Sequence, residues 1–364
     1  MKAGWIVLCS VLCSVLASAC GGGDGEPVTT PVAACSVSQL EAAMEATLAQ
    51  TTSEVDFSFS VERQDGRRFN FNRGASTLQT SYESASTSKL VSAVIILRLV
   101  EQGYLNLTDR PQDHLTATVW PIADTDTLSS ITLSNLLSFT SGLTQEPPFP
   151  SCLNAGTANF EACVTEIANA NAGNGITPGL EFYYASTHLQ VAGLMTIKAR
   201  GAATWQEVFA EFKTQTGLFP TSTYQFPSLS NPRLAGGMLW SGEEYMAFLK
   251  ALQGGSLLDA ASMSALLADH TAAATMVYSP SVAGLGEDWH YGYGLWHECE
   301  SATYNCTAGS RVSSPGAYGA YPFWDRGQGY FGIVARQGTL GTFPNGVAIE
   351  RSVRSYVDEW AACQ

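Results

Sequence analysis

The chain has 364 residues, 45% of them hydrophobic and 14% charged, and its formal net charge is -14. A chain of this size and composition buries one large core or two adjoining cores, which argues against an intrinsically disordered protein. The acidic balance and the lack of any run of basic residues exclude nucleic acid and anionic lipid as charge-driven partners. The sequence therefore predicts an acidic globular protein.

The first residues predict export. A short charged start leads into an apolar run, Trp5 to Leu16, and then into small residues up to Ala19. This is typical of a signal peptide at 1–19, which is too short for a permanent membrane anchor. Cys20 follows directly and opens a glycine-rich tether at 20–34, which predicts a lipid anchor on Cys20 in the cytoplasmic or outer membrane. The protein is then a periplasmic or cell-surface lipoprotein of a bacterium; plain secretion is the alternative.

Six cysteines follow Cys20: Cys35, Cys152, Cys163, Cys299, Cys306 and Cys363. An even count in an exported protein predicts three disulfides, although six cysteines allow fifteen pairings. Proximity in sequence favours Cys152 with Cys163 and Cys299 with Cys306, which leaves Cys35 and Cys363 to join the two ends of the domain. No CxxC or HExxH spacing indicates a zinc site, so we expect neither a metal nor a cofactor.

Hydrophobic periodicity predicts the first elements of the folded part. An alanine-rich helix has Ser38 and Glu41 spaced as a capping box. Alternating phenylalanines on either side of Asp65-Gly66 predict a β-hairpin. The apolar stretch that follows predicts a helix that runs to Val100 and ends before Gly103.

The remaining elements suggest how the chain is divided. Residues 106–285 are predicted as helices and loops, with Thr132 as the cap of a short helix and Ser241 with Glu244 as the capping box of another. The last part is predicted to contain strands at 291–296, 317–323 and 329–335 and a closing amphipathic helix at 347–362. This order indicates an α/β domain made of 35–105 and 286–364 around a helical domain at 106–285.

The stretch Ser86-Thr87-Ser88-Lys89 stands at the start of the helix that runs to Val100. Residues three apart share one helix face, so Ser86 and Lys89 point the same way from the first turn. The N–H groups at a helix start favour an oxyanion and disfavour an ammonium group, and burial lowers the pKa of a lysine. Lys89 is then suited to take the proton of Ser86; the alternative is a serine cap beside a solvated lysine.

Further motifs follow in a fixed order: Gly103–Asp109, Ile131–Leu143, Pro178–Ser186, Leu234–Gly237 and Ser313–Gly319. With these motifs the chain, from about residue 50 onward, resembles the serine β-lactamase and penicillin-binding-protein superfamily. It is most similar to the branch of class C β-lactamases, D-alanyl-D-alanine carboxypeptidases and family VIII esterases. The resemblance implies an α+β, β-lactamase/transpeptidase-like fold, with an antiparallel sheet flanked by helices and a helical insertion domain.

The resemblance also implies roles for single residues. Ser86 is the nucleophile and Lys89 its partner. Tyr184 stands at the position of the family's Tyr-x-Asn tyrosine, where a phenol with a pKa lowered by Lys89 passes a proton to the leaving group. Ser186 stands where the family has the asparagine, so a hydroxyl replaces one amide that contacts the substrate.

The third motif departs further from the family pattern. Where the family has Lys-Thr-Gly or His-x-Gly, this chain has Ser314-Pro315-Gly316. Gly316 lets substrate lie close to the strand, and the N–H of Ala317 joins that of Ser86 in an oxyanion hole. The family's cation is missing, which favours neutral acyl substrates over β-lactams and D-alanyl-D-alanine peptides. Arg326 is a candidate replacement, unless it is a surface arginine paired with Asp325.

Other features carry less weight. Trp296 and Tyr318 are candidates for aromatic lining of the cleft, and the loop at 146–150 is a candidate for its wall. His188 lies four residues after Tyr184 and is predicted to be structural. The chain has no Gly-x-Ser-x-Gly motif, so a nucleophile elbow of the α/β-hydrolase type is not supported.

The sequence therefore predicts an exported, monomeric serine hydrolase that works through an acyl-enzyme on a small-molecule ester or a peptidoglycan-like acyl substrate. Carboxylic esters are favoured because the third motif lacks a cation. The alternatives are a D-alanyl-D-alanine carboxypeptidase or β-lactamase and, from another class, a catalytically silent cell-surface binding lipoprotein.

Overall fold

Both ends of the folded chain contribute strands to one antiparallel sheet. The computed structural model describes residues 35–51, 56–148 and 151–363, and the predicted signal peptide, Cys20 and the tether lie outside these ranges. In spatial order the strands are β2 (Arg68–Arg73), β1 (Phe57–Arg63), β12 (Tyr330–Ala335), β11 (Tyr321–Asp325), β10 (Arg311–Ser313), β9 (Trp296–His297) and β8 (His290–Tyr291). Every neighbouring pair is antiparallel.

Shorter strands form two small sheets. One contains β3 (Ser81–Glu83), β6 (Met238–Ser241) and β5 (Thr223–Tyr224), and the other pairs β4 (Glu181–Tyr183) with β7 (Thr275–Tyr278). Sequence periodicity did not predict these strands, because alternation is not visible over two to four residues. Two of them position the site, since β3 leads into the turn that carries Ser86 and β4 leads directly into Tyr184.

The described helices are α1 (Val37–Gln50), α2 (Ser88–Glu101), α3 (Pro111–His114), α4 (Leu133–Leu137), α5 (Phe160–Asn171), α6 (Thr187–Arg200), α7 (Trp205–Thr216), α8 (Gly242–Gln253), α9 (Ala260–Leu266), α10 (Pro280–Leu285), α11 (Phe343–Arg351) and α12 (Arg354–Ala362). None of them is long and apolar enough to cross a membrane. Every residue of α2 from Ser88 to Leu97 is buried. A helix that is apolar on all sides belongs in the core, and this placement brings Lys89 into the interior.

Several predicted elements are confirmed. The hairpin of β1 and β2 turns at Gly66, which has a φ of 86°, and α2 ends at Glu101, before Gly103. The hydroxyl of Thr132 accepts a hydrogen bond from the N–H of Asn135 in α4, and that of Ser241 accepts one from the N–H of Glu244 in α8. Local rules of turn and cap chemistry are sufficient at these positions. The side chain of Glu244 accepts from Thr221 and does not complete the predicted box.

The capping box predicted from Ser38 and Glu41 is wrong. Ser36 caps α1 instead, and its hydroxyl accepts a hydrogen bond from the N–H of Gln39 at 3.4 Å. Glu41 accepts a hydrogen bond from Arg67 Nε at 2.7 Å. The carboxylate is therefore used to attach α1 to the hairpin, a tertiary contact that the spacing of two residues in the sequence does not reveal.

Three predicted elements near the C-terminus differ from the structure. The strand predicted at 291–296 is two strands, β8 and β9, because Gly294 turns the chain at a φ of 70°. The strand predicted at 317–323 begins only at Tyr321, after a turn. The helix predicted at 347–362 is two helices, α11 and α12, separated between 351 and 354.

Two of the predicted disulfides are confirmed, Cys152–Cys163 and Cys299–Cys306. The first attaches α5 to the segment before it, and the second closes a loop of the chain after β9. The pairing of Cys35 with Cys363 stays a prediction. The predicted domain boundaries at 105/106 and 285/286 also stay predictions.

Candidate active site

The predicted nucleophile lies in a strained turn. Ser86 is the middle residue of a short 3₁₀ turn, Ala85–Thr87, between β3 and α2. Ala85 has a φ of 44°, in the left-handed region that a residue with a Cβ seldom adopts. The hydroxyl of Ser88 donates to the carbonyl oxygen of Ala85 at 3.0 Å and so supports the turn. The backbone is therefore held in a costly conformation at the residue before Ser86.

Lys89 contacts Ser86 as the spacing predicts. Its Nζ lies 2.7 Å from Ser86 Oγ and donates to the carbonyl oxygen of Ala235 at 2.8 Å. The side chain is buried, and no carboxylate of the described residues lies within 4 Å of it. Burial, with a smaller contribution from the charge of Arg233, lowers the pKa of Lys89 well below its ordinary value. A neutral amine at this position can accept the Ser86 proton.

Tyr184 completes this group of polar side chains. It follows β4, its ring stacks on Trp296 with centroids 5.1 Å apart, and it lines the same cleft as Ser86. Lys89 Nζ lies over the face of the phenol ring, 4.5 Å from its centroid. Burial raises the pKa of Tyr184, so the expectation that Lys89 lowers it is wrong. The phenol stays protonated and is a proton donor at neutral pH.

The third motif lies beside the nucleophile. Ser314 follows β10, and its hydroxyl donates to the carbonyl oxygens of Ser86 at 3.3 Å and Gly294 at 3.2 Å. A Cβ at Gly316 would lie only 2.4 Å from the carbonyl oxygen of Ser84. Only glycine allows this close approach, which brings the segment after β10 against the turn of Ser86.

The predicted oxyanion hole consists of two backbone N–H groups, and the predicted contact of Ser186 with substrate is made by its side chain. The N–H of Ala317 makes no backbone hydrogen bond with any described residue, and that of Ser86 lies in a first helical turn, where such groups have no partner within the helix. Ser186 stands at the N-cap position of α6, and its side chain makes no capping bond. Its contact with substrate stays a prediction, because nothing connects it to Ser86 directly.

A small cleft of about 70 Å³ opens next to Ser86. It is lined by Ser86, Tyr184, Pro280, Ser281, Trp289, Trp296, Pro315, Ala317 and Phe343. Trp296 was expected in this lining and Tyr318 is not part of it. No charged side chain is among these residues, and four aromatic rings are. The arrangement suits an uncharged group next to the reacting carbonyl.

Two residues considered from the sequence lie outside the site. Arg326 donates to the carbonyl oxygen of Gly309 at 3.0 Å and stacks over Trp324, so it does not replace the missing cation. His188 is buried, bonded through Nδ1 to the hydroxyl of Ser141 at 2.7 Å. Burial lowers the pKa of His188 to about 3, which keeps the ring neutral.

Sequence reasoning missed part of the lining. Trp289 lies in the loop before β8, Phe343 is the first residue of α11, and Pro280 is the first residue of α10. A Cβ at Gly284 would lie 2.6 Å from the ring of Phe343, so that glycine lets α10 pack against the ring. Nothing local marks these residues, since each reaches the cleft only through tertiary packing.

Comparison with known proteins agrees with this geometry. A model of the β-lactamase family matches residues 61–350. Penicillin-binding protein 4 of Amycolatopsis lactamdurans is 26% identical over 152 residues, which are 41% of this chain and 38% of that protein. The matched part therefore spans well under half of that relative's length.

Solved structures share the fold. A protein from Bacteroides dorei DSM 17855, provisionally described as a β-lactamase, superposes with a TM-score of 0.73 at 24% identity and covers 89% of this chain and 99% of its own. EstCE1, described as a hydrolase with promiscuous acyltransferase activity, gives a TM-score of 0.66 at 16% identity, with 88% and 98% covered. The predicted fold class is thereby confirmed. With most of its length matched by the family model, the chain belongs to the β-lactamase family, within the superfamily of serine β-lactamases and penicillin-binding proteins.

Proposed function

We propose that this family member is a serine hydrolase that cleaves carboxylic esters through an acyl-enzyme on Ser86. The observation that carries the proposal is the contact of a buried Lys89, which has no carboxylate partner among the described residues, with Ser86 Oγ at 2.7 Å. This contact opens onto a cleft without charged lining. A serine is a weak nucleophile unless a base lies within hydrogen-bond distance, and here one does.

Acylation follows from the positions of three side chains. Neutral Lys89 takes the proton of Ser86 as Oγ attacks the ester carbonyl. The N–H groups of Ser86 and Ala317 bind the oxyanion. The Tyr184 phenol gives its proton to the leaving alkoxide and recovers one from the Lys89 ammonium, so that the alcohol leaves and both groups return to their first protonation states.

Deacylation reverses the proton path. Water attacks the acyl carbonyl while the pair of Tyr184 and Lys89 takes its proton. Ser86 Oγ leaves, regains a proton from the same pair, and the carboxylic acid is released. The Lys89 amine and the Tyr184 phenol lie close together, so their protonation states are coupled. The pair acts as one unit that exchanges a single proton.

Two features support esters over amides and β-lactams. The third motif supplies Ser314 where a family member that holds a substrate carboxylate has a cation, and Arg326 does not take that place. The cleft beside Ser86 is walled by Trp289, Trp296 and Phe343. An uncharged acyl or alkoxy group gains from burial against such rings, whereas a charged group is desolvated there without a partner.

The test is the initial rate of p-nitrophenyl butyrate hydrolysis by the wild-type protein, Ser86→Ala and Ser88→Ala. Ser88 is the first residue of α2, and its hydroxyl bonds to the carbonyl oxygen of Ala85 and is not part of the cleft lining, so its variant controls for the loss of a nearby hydroxyl. We expect Ser86→Ala to lose several orders of magnitude in kcat and Ser88→Ala to keep most of it in protein that remains folded. Equal rates in wild type and Ser86→Ala would reject the proposal. No rate in either protein, on esters or β-lactams, would favour a binding role without catalysis.

A D-alanyl-D-alanine carboxypeptidase or β-lactamase is the second candidate. The similarity to penicillin-binding protein 4 and the match to the β-lactamase family support it. Intact-mass measurement after incubation with benzylpenicillin separates the two. A stable penicilloyl adduct on Ser86, or rapid release of penicilloic acid, favours this candidate, whereas unmodified protein with high esterase activity favours the ester hydrolase.

Export and anchoring through Cys20 are also proposals. The two disulfides of the described chain support export, because such bonds form in oxidising compartments. Expression of the full chain and of Cys20→Ser with labelled palmitate tests the anchor. Label in the first protein and not in the second is expected; equal absence of label with release into the medium would favour plain secretion.

A further inference from the structure

Arg233 is a cation near the site that the sequence motifs did not indicate. Its side chain is partly buried, and Nη1 donates to the side-chain oxygen of Asn154 at 2.5 Å. Among the described residues no carboxylate lies within 4 Å of its guanidinium, in contrast to Arg200 or Arg351. Nε and Nη2 therefore keep donors for another partner, and the head group is held in place by the neutral amide of Asn154.

The turn that carries Arg233 also carries the carbonyl that binds Lys89. The carbonyl oxygen of Arg233 accepts hydrogen bonds from the N–H groups of Gly236 at 3.1 Å and Gly237 at 2.6 Å. Between them in the chain, Ala235 directs its own carbonyl oxygen to Lys89 Nζ. The position of the guanidinium is thus tied to the position of the catalytic amine through a tight backbone turn.

The guanidinium lies next to the residue that precedes the nucleophile. A Cβ at Gly236 would lie 3.2 Å from Arg233 Nε and 3.5 Å from the carbonyl carbon of Ala85. The absence of a side chain at Gly236 leaves room for the arginine head at this point. The charge is close enough to contribute to the lowered pKa of Lys89. It also interacts with Tyr318, which follows the oxyanion residue Ala317.

Arg233 and the aromatic cleft provide two different environments beside one nucleophile. Arg233 is not among the residues that line the cleft, and none of those residues is charged. A carbonyl carbon at Ser86 carries two arms, the acyl group and the alkoxy group. One arm can be buried against Trp289 and Phe343, which leaves the other arm outside the cleft.

We propose that Arg233 binds a carboxylate on the arm of the substrate that does not enter the aromatic cleft. This inference rests on the proposed ester hydrolase activity and narrows its substrate class to esters with one apolar arm and one anionic arm. The planar guanidinium suits a carboxylate because two parallel N–H groups can bind both oxygens. Glu146 and Glu83 act on the Arg233 guanidinium only from beyond ion-pair distance, so a carboxylate in direct contact would compensate the burial of this cation more fully.

The test uses matched pairs of esters that differ by one charge. For the acyl arm they are mono-p-nitrophenyl adipate and the p-nitrophenyl ester of adipamic acid, and for the alcohol arm 4-acetoxybenzoate and 4-acetoxybenzamide. The enzymes are the wild type, Arg233→Gln and the control Arg326→Gln, which removes a cation outside the site. kcat/KM is measured for all four esters.

We expect the wild type and Arg326→Gln to prefer the carboxylate in one of the pairs by roughly 10- to 100-fold, the range for one charged hydrogen bond. Arg233→Gln should reduce this preference to within about threefold, and its loss on the amide ester, which reports the effect of Arg233 on Lys89, should be clearly smaller than its loss on the carboxylate ester. No preference in either pair, or an equal loss on carboxylate and amide, would overturn the inference. An equal loss would mean that Arg233 acts only on Lys89.

A binding readout keeps this test separate from the proposed function. In Ser86→Ala the ester is not consumed, so the rise in Tm with each ester reports binding alone. The carboxylate should raise Tm more than the amide, and adding Arg233→Gln should remove the difference. If turnover proves independent of Ser86 while this difference holds, the ester hydrolase proposal fails and the anion site stands; if Tm rises equally with both esters, the anion site fails.

Discussion

Lys89 and Arg311 are both buried cations, and their surroundings are opposite. Arg311 forms ion pairs with three acids at 3.1, 3.1 and 2.8 Å: Glu298, Asp325 and Glu350. Among the described residues, the close contacts of Lys89 Nζ are a hydroxyl, a carbonyl oxygen and an aromatic ring. The charge of Arg311 is compensated by direct ion pairs, and that of Lys89 is not.

The pKa values follow from this difference. Burial alone would lower the pKa of Arg311, but Glu350, Tyr321 and Glu298 outweigh it and raise that pKa well above its ordinary value. At Lys89 burial is the largest effect and nothing outweighs it, so its pKa is lowered. A compensated buried cation is structural, whereas an uncompensated one gives up its proton and becomes a base.

Two buried tyrosines repeat the contrast. Burial raises the pKa of both Tyr184 and Tyr321, so both are proton donors at neutral pH. Tyr321 donates to a carboxylate oxygen of Glu298 at 2.6 Å, a permanent acceptor. Tyr184 lines the cleft together with Ser86, whose oxygen changes during the reaction. Only the second phenol is in a position to exchange its proton with substrate.

The largest expected effect separates the two cations by activity. Lys89→Met should lower kcat/KM for p-nitrophenyl butyrate by roughly 10³-fold or more, because Ser86 loses its base. Arg311→Met should stay within about tenfold of wild type when measured on folded protein, since no contact joins it to the site. Steady-state kinetics on both variants checks this, and a similar loss in both would show that Lys89 acts only through the fold.

Replacing Tyr184 and Tyr321 should give a smaller difference in activity than replacing the two cations. Tyr184→Phe is expected to lower kcat by about 10²- to 10⁴-fold, the range for a general acid, while Tyr321→Phe should change it less than about threefold. Substrates with better leaving groups need less protonation, so the defect of Tyr184→Phe should shrink from an ethyl ester to a p-nitrophenyl ester. A defect of the same size on both esters would contradict a role in leaving-group protonation.

Arg311 should matter more than Lys89 for the stability of the fold, the reverse of their order for activity. Arg311→Met removes the cation that contacts both Glu298 and Glu350 and leaves these buried carboxylates only Arg354. It should lower the free energy of unfolding by up to about 3–5 kcal/mol. Urea denaturation monitored by tryptophan fluorescence measures it. An unchanged midpoint would mean that the remaining cation, Arg354, compensates both acids.

The smallest expected effect is a pH-dependent stabilisation by Lys89→Met. Because the folded-state pKa of Lys89 is lowered, the unfolded chain binds a proton that the folded chain does not, from about pH 10.4 downward to the lowered pKa. The wild type therefore loses stability as pH falls through that window. Near pH 7 Lys89→Met should have a Tm roughly 2 °C or more above wild type, and the difference should shrink near pH 10.5. A wild-type Tm above that of the variant at pH 7 would contradict the lowered pKa.

Part of the site could be predicted from the sequence because it is local. Ser86 and Lys89 share one turn, and the apolar residues after them show that the helix is buried. The role of Gly316 could be predicted in general terms, since a glycine in this motif indicates a close approach to the backbone. The hairpin and the caps of α4 and α8 follow from turn and cap chemistry in the same way.

The rest depends on contacts between distant segments. The rings of Trp289 and Phe343 and the charge of Arg233 meet Ser86 only after folding. The direction of the Tyr184 pKa was predicted wrongly, because burial of the phenol outweighs the nearby lysine, and burial of a single residue in a loop after a short strand is not visible in sequence. The short strands β3 and β4 were missed for the same reason.

The most direct test of the account is the site and rate of covalent labelling by a p-nitrophenyl phosphonate, read by peptide mass spectrometry on wild type and Lys89→Met. The account predicts one adduct, on Ser86, that forms at least about 10³-fold more slowly when Lys89 is replaced. An adduct on another residue, or labelling of Ser86 at the same rate in both proteins, would contradict the claim that an uncompensated buried lysine activates this serine.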